Sequence, residues 1–283
     1  MKTQQIYTVL EDYSNRQKLK GMVSSANKGG FQLLCEDIED GLSIVGARPC
    51  MGSTSFVISM AHELAKAGKR VLMYGNPHHK IEYKISRYVG RKEGCSCPFL
   101  KDVPFYYGHL FFADDFHILK ARIFEDVIQL HPQYIFIDSL RDIIVDERLV
   151  STSLSPEEFM CRDLRNLSYQ IDIPIVAVAG LNRNTERRAG VEGKIPHTSD
   201  FRGGDLEYYA SKVYLPYRPE YYHIYNDERT GRDIRGCMYI YGSGLGNYTG
   251  MELKFDYRTF RVYDPERENW VSEDGSTQSD LPF

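Results

Sequence analysis

The chain has 283 residues, of which 42% are apolar and 26% charged, and its formal net charge is −4. These values are typical of a soluble globular protein with one large α/β domain or two smaller ones. No stretch approaches the roughly 18 uninterrupted apolar residues of a membrane span, and the N-terminus lacks the apolar core of a signal peptide. We therefore expect a cytoplasmic protein without a membrane partner. The negative charge argues against DNA binding by a lone monomer, although a few basic loops would suffice inside a ring.

The first predicted elements alternate between helix and strand. Residues 1–30 have loosely helical spacing, and this arm either packs on its own domain or docks on a neighbour. A strand over 42–45 leads into a loop at 46–54, and the apolar spacing beyond it predicts a helix that ends near Lys66. Arg70–Tyr74 is predicted to be a second buried strand.

The alternation continues through the middle of the chain. In order, we predict a strand over 105–112, a helix over 116–130, a strand over 134–138, a helix from Ser155 to about Gln170, and a strand over 173–179. Ser155 is followed by proline and two acids, which is typical of a helix start. Strands that alternate with helices predict a mainly parallel central sheet flanked by helices.

The last third has a different pattern. Four short strands joined by turns are predicted at 213–217, 236–241, 252–255 and 261–263. They favour an antiparallel extension of the same sheet. Residues 264–283 are acidic and polar with almost no core-forming side chains, so this tail is predicted to be disordered. The folded domain is therefore expected to span residues 31–263.

Six cysteines are scattered along the chain without the spacing of a disulfide framework. Cys95 and Cys97 lie in an irregular, glycine-rich stretch, with His78, His79 and His109 elsewhere in the same region. A zinc signature needs a second ligand pair at defined spacing, and that pair is missing. We expect reduced loop thiols and no zinc.

The loop at 46–54 has the pattern of a phosphate-binding loop. Between a strand and a helix, backbone N–H groups of such a loop cradle phosphates, a lysine reaches the β- and γ-phosphates, and the next Ser or Thr holds Mg²⁺. Gly52 and Thr54 stand where this pattern needs them, but Ser53 replaces the lysine. The sequence thus indicates a nucleotide-binding fold with one altered residue at its centre.

Several motifs in the same order resemble one family. Residues 47–54 match its A-R-P-S-M-G-K-T in all but two places, 135–140 resembles its V-I-D-Y-L strand, and 173–183 parallels its V-P-V-I-A-L-S-Q-L-N-R segment. Residues 199–202 resemble its S-D-L-R, and Tyr217-Arg218 follows its closing strands. The chain resembles, over about residues 31–263, the RecA-like C-terminal domain of DnaB replicative DNA helicases. The resemblance implies a RecA-like P-loop NTPase fold, ATP with Mg²⁺, a hexameric ring, single-stranded DNA, and replication proteins as partners.

The resemblance also shows where this chain departs from the family. Besides Ser53, the catalytic glutamate falls on Pro77 and the sensor glutamine on Gly180. The basic pair that acts across the subunit interface falls on Ser243 and Leu245, so the arginine finger is lost. An arginine finger contributes roughly 10³–10⁵ in turnover to nucleotide hydrolases. These departures predict weakened nucleotide binding and little or no catalysis.

The resemblance assigns the rest of the loop to cofactor binding, through Arg48, Pro49, Cys50, Met51, Gly52, Ser53 and Thr54. Arg48 is no evident substitute for the lysine, because the family carries an arginine there as well. Thr54 and Asp138 are the predicted Mg²⁺ pair. The alternative for Asp138 is a strand-end carboxylate that caps a turn.

A basic stretch follows the strand at 173–179. One interpretation is a loop that faces DNA in a central channel, where arginines and lysines bind phosphate without reading sequence. The candidate DNA-binding residues are Arg183, Arg187, Arg188, Lys194 and Arg202. The alternative is a solvated, mobile loop. The tyrosines between 208 and 222 could stack on bases, but their alternation favours packing in the sheet.

Three functions follow from these observations. The favoured hypothesis is a DnaB-like protein with a degenerate nucleotide site, which binds ATP or DNA weakly or acts as a non-catalytic partner in replication. The first alternative is an active ATP-dependent helicase in which other residues replace the lost ones. The second alternative is a protein–protein adaptor that uses no nucleotide.

Overall fold

A computed structural model describes residues 40–88, 103–110, 114–146, 154–243 and 250–264, with isolated positions between 31 and 38 and between 148 and 150. The predicted arm at 1–30, most of the irregular stretch with Cys95 and Cys97, Leu245, and the tail beyond 264 lie outside the described residues.

The described chain forms eleven strands, which alternate with helices in its first two thirds. The strands are β1 Leu42–Ala47, β2 Val71–Gly75, β3 Phe105–His109, β4 Asp114–Asp115, β5 Tyr134–Asp138, β6 Ile143–Ile144, β7 Ile175–Gly180, β8 Lys212–Tyr217, β9 Cys237–Ser243, β10 Met251–Asp256 and β11 Arg261–Tyr263. The helices are α1 Ser53–Lys66, α2 Ile81–Tyr88, α3 Phe116–Leu130, α4 Pro156–Ile171 and α5 Asn184–Arg187. Short 3-10 helices lie at Pro77–His79, Leu140–Asp142, Glu192–Lys194, Thr198–Asp200, Leu206–Tyr209 and Pro219–Tyr222.

Nine of the strands form one mixed sheet in the order β11-β10-β9-β8-β1-β7-β5-β2-β3. The six strands from β8 to β3 run parallel, and β8, β9, β10 and β11 pair antiparallel with one another. The predicted parallel sheet with an antiparallel extension is therefore confirmed. β4 and β6 form a separate small pair.

The central strands are buried on both faces, which is why they read as continuous apolar runs. Successive residues enter opposite cores: Ile44 belongs to the core under α3 and α4, and Val45 to the core under α1. Phe56, Ile58 and Met60 of α1 pack on one face of the sheet. α3 and α4 cover the other. The phosphate-binding loop thus starts from a strand held on both sides.

Local signals set the helix ends. Ser155 accepts a hydrogen bond from the N–H of Glu158, whose side chain in turn accepts from Ser155, and Pro156 occupies the first helical position. Asp115 caps α3 by accepting from the N–H of His117. The predicted helix start at Ser155 and the predicted helix over 116–130 are confirmed. Helix α2 is an element that the sequence patterns did not reveal.

Candidate nucleotide site

The loop between β1 and α1 has the backbone of a phosphate cradle. Gly52 has φ +99°, and Cys50, at the exposed crest of the loop, has φ +64°. The N–H of Met51 donates to the carbonyl of Arg48 at 3.2 Å. A Cβ on Gly52 would lie 2.8 Å from Cε of Met238, which is the end of a flexible side chain, so the left-handed conformation is the main requirement for glycine here.

Helix α1 begins at Ser53, directly after the turn. Its N-terminus receives no side-chain cap, and the first turn holds no acid. The first N–H groups of a helix lack intrahelical partners and, with the helix dipole, favour an anion. Ser53 and Thr54 therefore stand where backbone N–H groups can meet phosphate oxygens, but Ser53 adds a hydroxyl and no charge.

Thr54 and Asp138 lie next to each other below the loop. Asp138 is the last residue of β5, and its side chain is hydrogen-bonded to Thr54. It is only 4% exposed, and its Oδ2 has no hydrogen-bond partner among the described residues. Burial raises the pKa of Asp138, while the Thr54 hydrogen bond and the nearby Lys84 and His79 oppose this rise. A buried carboxylate oxygen without a partner, beside a hydroxyl, fits the oxygen ligands that Mg²⁺ prefers.

The segment after β2 lacks a catalytic carboxylate at the expected position. Pro77 occupies the first position of a 3-10 turn, and the buried side chain of Asn76 caps this turn by accepting from the N–H of His78. Proline there shapes the chain and offers no base. His79 lies beside Asp142, with Nε2 at 3.3 Å from Oδ1 of that buried carboxylate.

Lys84, which no sequence motif indicated, lies on α2 within electrostatic reach of the site. Burial lowers its pKa, and the charges of Asp138 and Cys50 act in the opposite direction. A basic residue three positions after the fully buried Ile81 was the available signal, because residues three apart share a helix face.

The side chain of Arg48 is hydrogen-bonded to the segment after β7. Its Nε donates to Oε1 of Glu186 at 2.8 Å, and its NH1 donates to the carbonyl of Leu181 at 2.9 Å. This pairing holds the pKa of Glu186 below its ordinary value. These contacts connect the loop to the segment after β7.

Arg218 supports the loop from beneath. It is 7% exposed, and its guanidinium lies over the rings of both Phe255 and Tyr257, at 4.3 and 4.5 Å from their centroids. Its NH1 donates to the carbonyl of Cys50 at 3.3 Å, and its backbone N–H donates to the sulfur of Met51. The match of Tyr217-Arg218 to the family was the signal for this residue.

Gly180 is the last residue of β7, and the space beside its Cα is open among the described residues. A Cβ added there would meet nothing within 4 Å among the described residues. A longer side chain would fit without displacing its neighbours. The position that aligns with the family's sensor glutamine is therefore not filled by packing among the described residues.

The basic stretch after β7 divides into two groups. Arg183, Arg187 and Arg202 are exposed. Arg188 instead pairs with Asp200 and donates to the carbonyl of Ile195 at 3.3 Å. Lys194 donates to the carbonyl of Glu186 and lies 5.5 Å from the ring centroid of Tyr222. The structure therefore uses two of the five predicted DNA-binding residues to hold the loop together.

The tyrosines divide in the same way. Tyr214 and Tyr217 are buried, as the alternation predicted, whereas Tyr208 is 75% exposed. Among the described residues, no group of three or more His, Cys, Asp or Glu side chains is placed to hold a metal ion. Within the same ranges, no helix has both the length and the apolar character needed to cross a membrane.

A mainly parallel sheet with a glycine-containing loop between β1 and α1, and with a buried carboxylate at the end of β5, defines a RecA-like α/β domain. A family model, the DnaB-like helicase C terminal domain, matches residues 115–263, which is more than half of the chain. The chain belongs to this family. The match extends through β5, β7 and the antiparallel strands.

Comparison with individual proteins gives the same family. A "Probable replicative DNA helicase" from Trieres chinensis is 24% identical over 251 residues, which cover 79% of this chain and 53% of that protein. The replicative DNA helicase DnaB of Treponema pallidum is 24% identical over 243 residues, which cover 75% of this chain and 51% of that protein. The chain thus spans about half the length of these curated relatives.

Two solved structures share the fold. An isolated ATPase domain gives a TM-score of 0.74 at 16% identity, covering 93% of this chain and 99% of that domain. A DnaB-like replicative helicase, solved in a study of its interactions with primase, gives a TM-score of 0.70 at 16% identity, covering 93% of this chain and 67% of that one. At this identity the likeness concerns the fold alone.

Proposed function

We propose that this chain is a degenerate member of the DnaB-like helicase family, which binds ATP with Mg²⁺ weakly, hydrolyses it little or not at all, and acts as a non-catalytic partner in DNA replication. The observation that carries the proposal is a preserved cradle beside altered catalytic positions. Gly52 keeps its left-handed conformation and Asp138 stays buried against Thr54, while Pro77 and Gly180 offer no reactive group.

Binding is supported by the backbone of the loop and by the Thr54–Asp138 pair. The N–H groups at the start of α1 favour phosphate. Oδ2 of Asp138, which has no hydrogen-bond partner among the described residues, can coordinate Mg²⁺. Bound Mg²⁺ would neutralise phosphate charge. The loss of the lysine at position 53 weakens this site, because the cradle then relies on dipoles more than on full charges.

Slow turnover is supported by the residues that stand at the positions of the family's base and charge donors. Proline at position 77 cannot take a proton from water, and Arg48 is held by Glu186 and Leu181. The aligned arginine finger position, Leu245, lies outside the described residues, and leucine carries no charge. Each such loss lowers the rate by orders of magnitude, so their combination leaves little catalysis.

The remaining proposals concern assembly. We propose residues 1–30 as an arm, 31–263 as the RecA-like domain and 264–283 as a tail. Hexamers and replication-protein partners are carried over from the family. Weak binding of single-stranded DNA would use the exposed Arg183, Arg187 and Arg202, since arginines contact phosphates without sequence readout.

Calorimetry with ATP and Mg²⁺ and a steady-state ATPase assay with single-stranded DNA test this function together. We expect saturable binding with turnover far below that of replicative helicases. Turnover at helicase levels would refute the proposal and favour the active alternative, for which the position of Lys84 is the specific observation. An unchanged thermal stability at millimolar ATP and Mg²⁺ would favour the second alternative, a protein–protein adaptor that uses no nucleotide. The reason is that a ligand well above its Kd must stabilise the folded state.

A further inference from the structure

The helix after β2 carries a lysine on the face where an apolar residue is expected. Ile81 is fully buried, and Ile85 packs against the same core, while Tyr83 on another side of the helix is 53% exposed. Residues three and four positions after Ile81 lie on its face. Lys84 is therefore directed inward with Ile81 and Ile85, and it is half-buried.

The sheet register places this face over the Mg²⁺ pair. A Cβ on Gly75 would lie 3.2 Å from Cδ1 and Cγ1 of Ile81, so Ile81 packs on the end of β2. Gly75 is the direct partner of Asp138 in the parallel pairing of β2 with β5. One helical turn beyond Ile81, Lys84 lies within electrostatic reach of both Asp138 and the loop residue Cys50.

We propose that Lys84 supplies, from α2, the positive charge that Ser53 lacks, and that its ammonium group binds the β- and γ-phosphates of a nucleoside triphosphate held in the loop. Three features make this chemistry suitable. Lys84 is half-buried on the same helix face as Ile81 and Ile85, it lies within electrostatic reach of both Asp138 and the loop residue Cys50, and the backbone cradle itself carries only partial charges. The inference rests on the proposed nucleotide binding and deepens it.

A charge supplied by Lys84 does not restore ATP hydrolysis. A cation next to the phosphates improves binding, but Pro77 still offers no base and Gly180 no sensor. The displaced lysine therefore explains how a chain without the usual lysine can keep a nucleotide while hydrolysing it little or not at all.

The test uses the full chain and compares ATP·Mg²⁺ with AMP by calorimetry. We expect Lys84→Met to weaken ATP binding by about 10- to 100-fold, the effect of losing a charge-assisted hydrogen bond, and to leave AMP binding unchanged because AMP lacks the β- and γ-phosphates. Lys69→Met is the matched control, since Lys69 is exposed beyond the opposite end of α1. The double variant Ser53→Lys/Lys84→Met should regain affinity, because it returns the charge to the loop.

Each outcome decides a separate point. If the unaltered chain binds ATP and Lys84→Met binds it equally well, the role of Lys84 is refuted while nucleotide binding stands. An equal loss for ATP and AMP would also refute it, because it would show a structural role of Lys84 in the site. If the unaltered chain binds no ATP, the proposed function fails and the inference with it. Thermal unfolding of each variant confirms that the fold is intact, and methionine is a good helix former that suits the half-buried position.

Discussion

Gly52 gives the sharpest test of the loop geometry, through the substitution Gly52→Ala. The left-handed conformation at φ +99° costs a residue with a Cβ about 1–2 kcal/mol. The new methyl group would also lie 2.8 Å from Cε of Met238. Overpacking costs about 1–3 kcal/mol, and the flexible methionine places this contact near the low end. We expect a loss of about 2–3 kcal/mol in the free energy of unfolding.

Urea unfolding with linear extrapolation measures this change. Gly180→Ala is the matched control, because its φ is not left-handed and nothing among the described residues lies within 4 Å of the added Cβ. We expect it to change stability by less than about 0.5 kcal/mol. If Gly52→Ala is also within about 0.5 kcal/mol of the unaltered chain, the loop does not have the conformation on which the site depends.

Three further predictions follow from the site and its surroundings. The exposed thiol of Cys50 should react with iodoacetamide, and bound ATP·Mg²⁺ should protect it. Cys161 should stay unmodified at pH 8, because burial raises the pKa of its thiol to about 12. Peptide mass spectrometry measures both modifications, and a Cys50 that ATP·Mg²⁺ does not protect would place the nucleotide elsewhere. Ser53→Lys should tighten ATP binding by about tenfold without raising turnover, because no base is added; an ATPase rate near that of a helicase would contradict this. Replacing the three exposed arginines of the basic stretch by alanine should weaken binding of single-stranded DNA and reduce the salt dependence of that binding. These residues are Arg183, Arg187 and Arg202. Unchanged fluorescence anisotropy titrations would argue against this surface as a DNA-binding site.

The sequence predicts the fold well because most elements carry local signals. Continuous apolar runs mark strands buried on both faces, as in β5 and β7, and the cap at Ser155 marks the start of α4. Helix α2 was not predicted because it has only eight residues and directly follows a turn that contains proline. The turn residues obscure the short helical periodicity.

The site was only partly predictable, for a physical reason. The loop is contiguous in sequence, so its glycine and threonine could be recognised there. Arg48 is paired with Glu186, 138 residues away, and Arg218 reaches the carbonyl of Cys50 across 168 residues. Such partners depend on the sheet order, which brings β1 between β7 and β8. The division of the basic stretch into exposed arginines and structural residues likewise needs the tertiary contacts.

The property that most distinguishes the proposed function is that the protein holds a nucleotide and hardly hydrolyses it. The most direct measurement follows γ-labelled ATP mixed with the full chain, Mg²⁺ and single-stranded DNA, and records bound intact ATP and released phosphate over time. We expect saturable retention of intact ATP and phosphate release at least about 10³-fold slower than about 1 s⁻¹, the low end of typical enzyme turnover. Phosphate release at about 1 s⁻¹ or faster, or no retained ATP at any concentration up to the millimolar range, would contradict the claim.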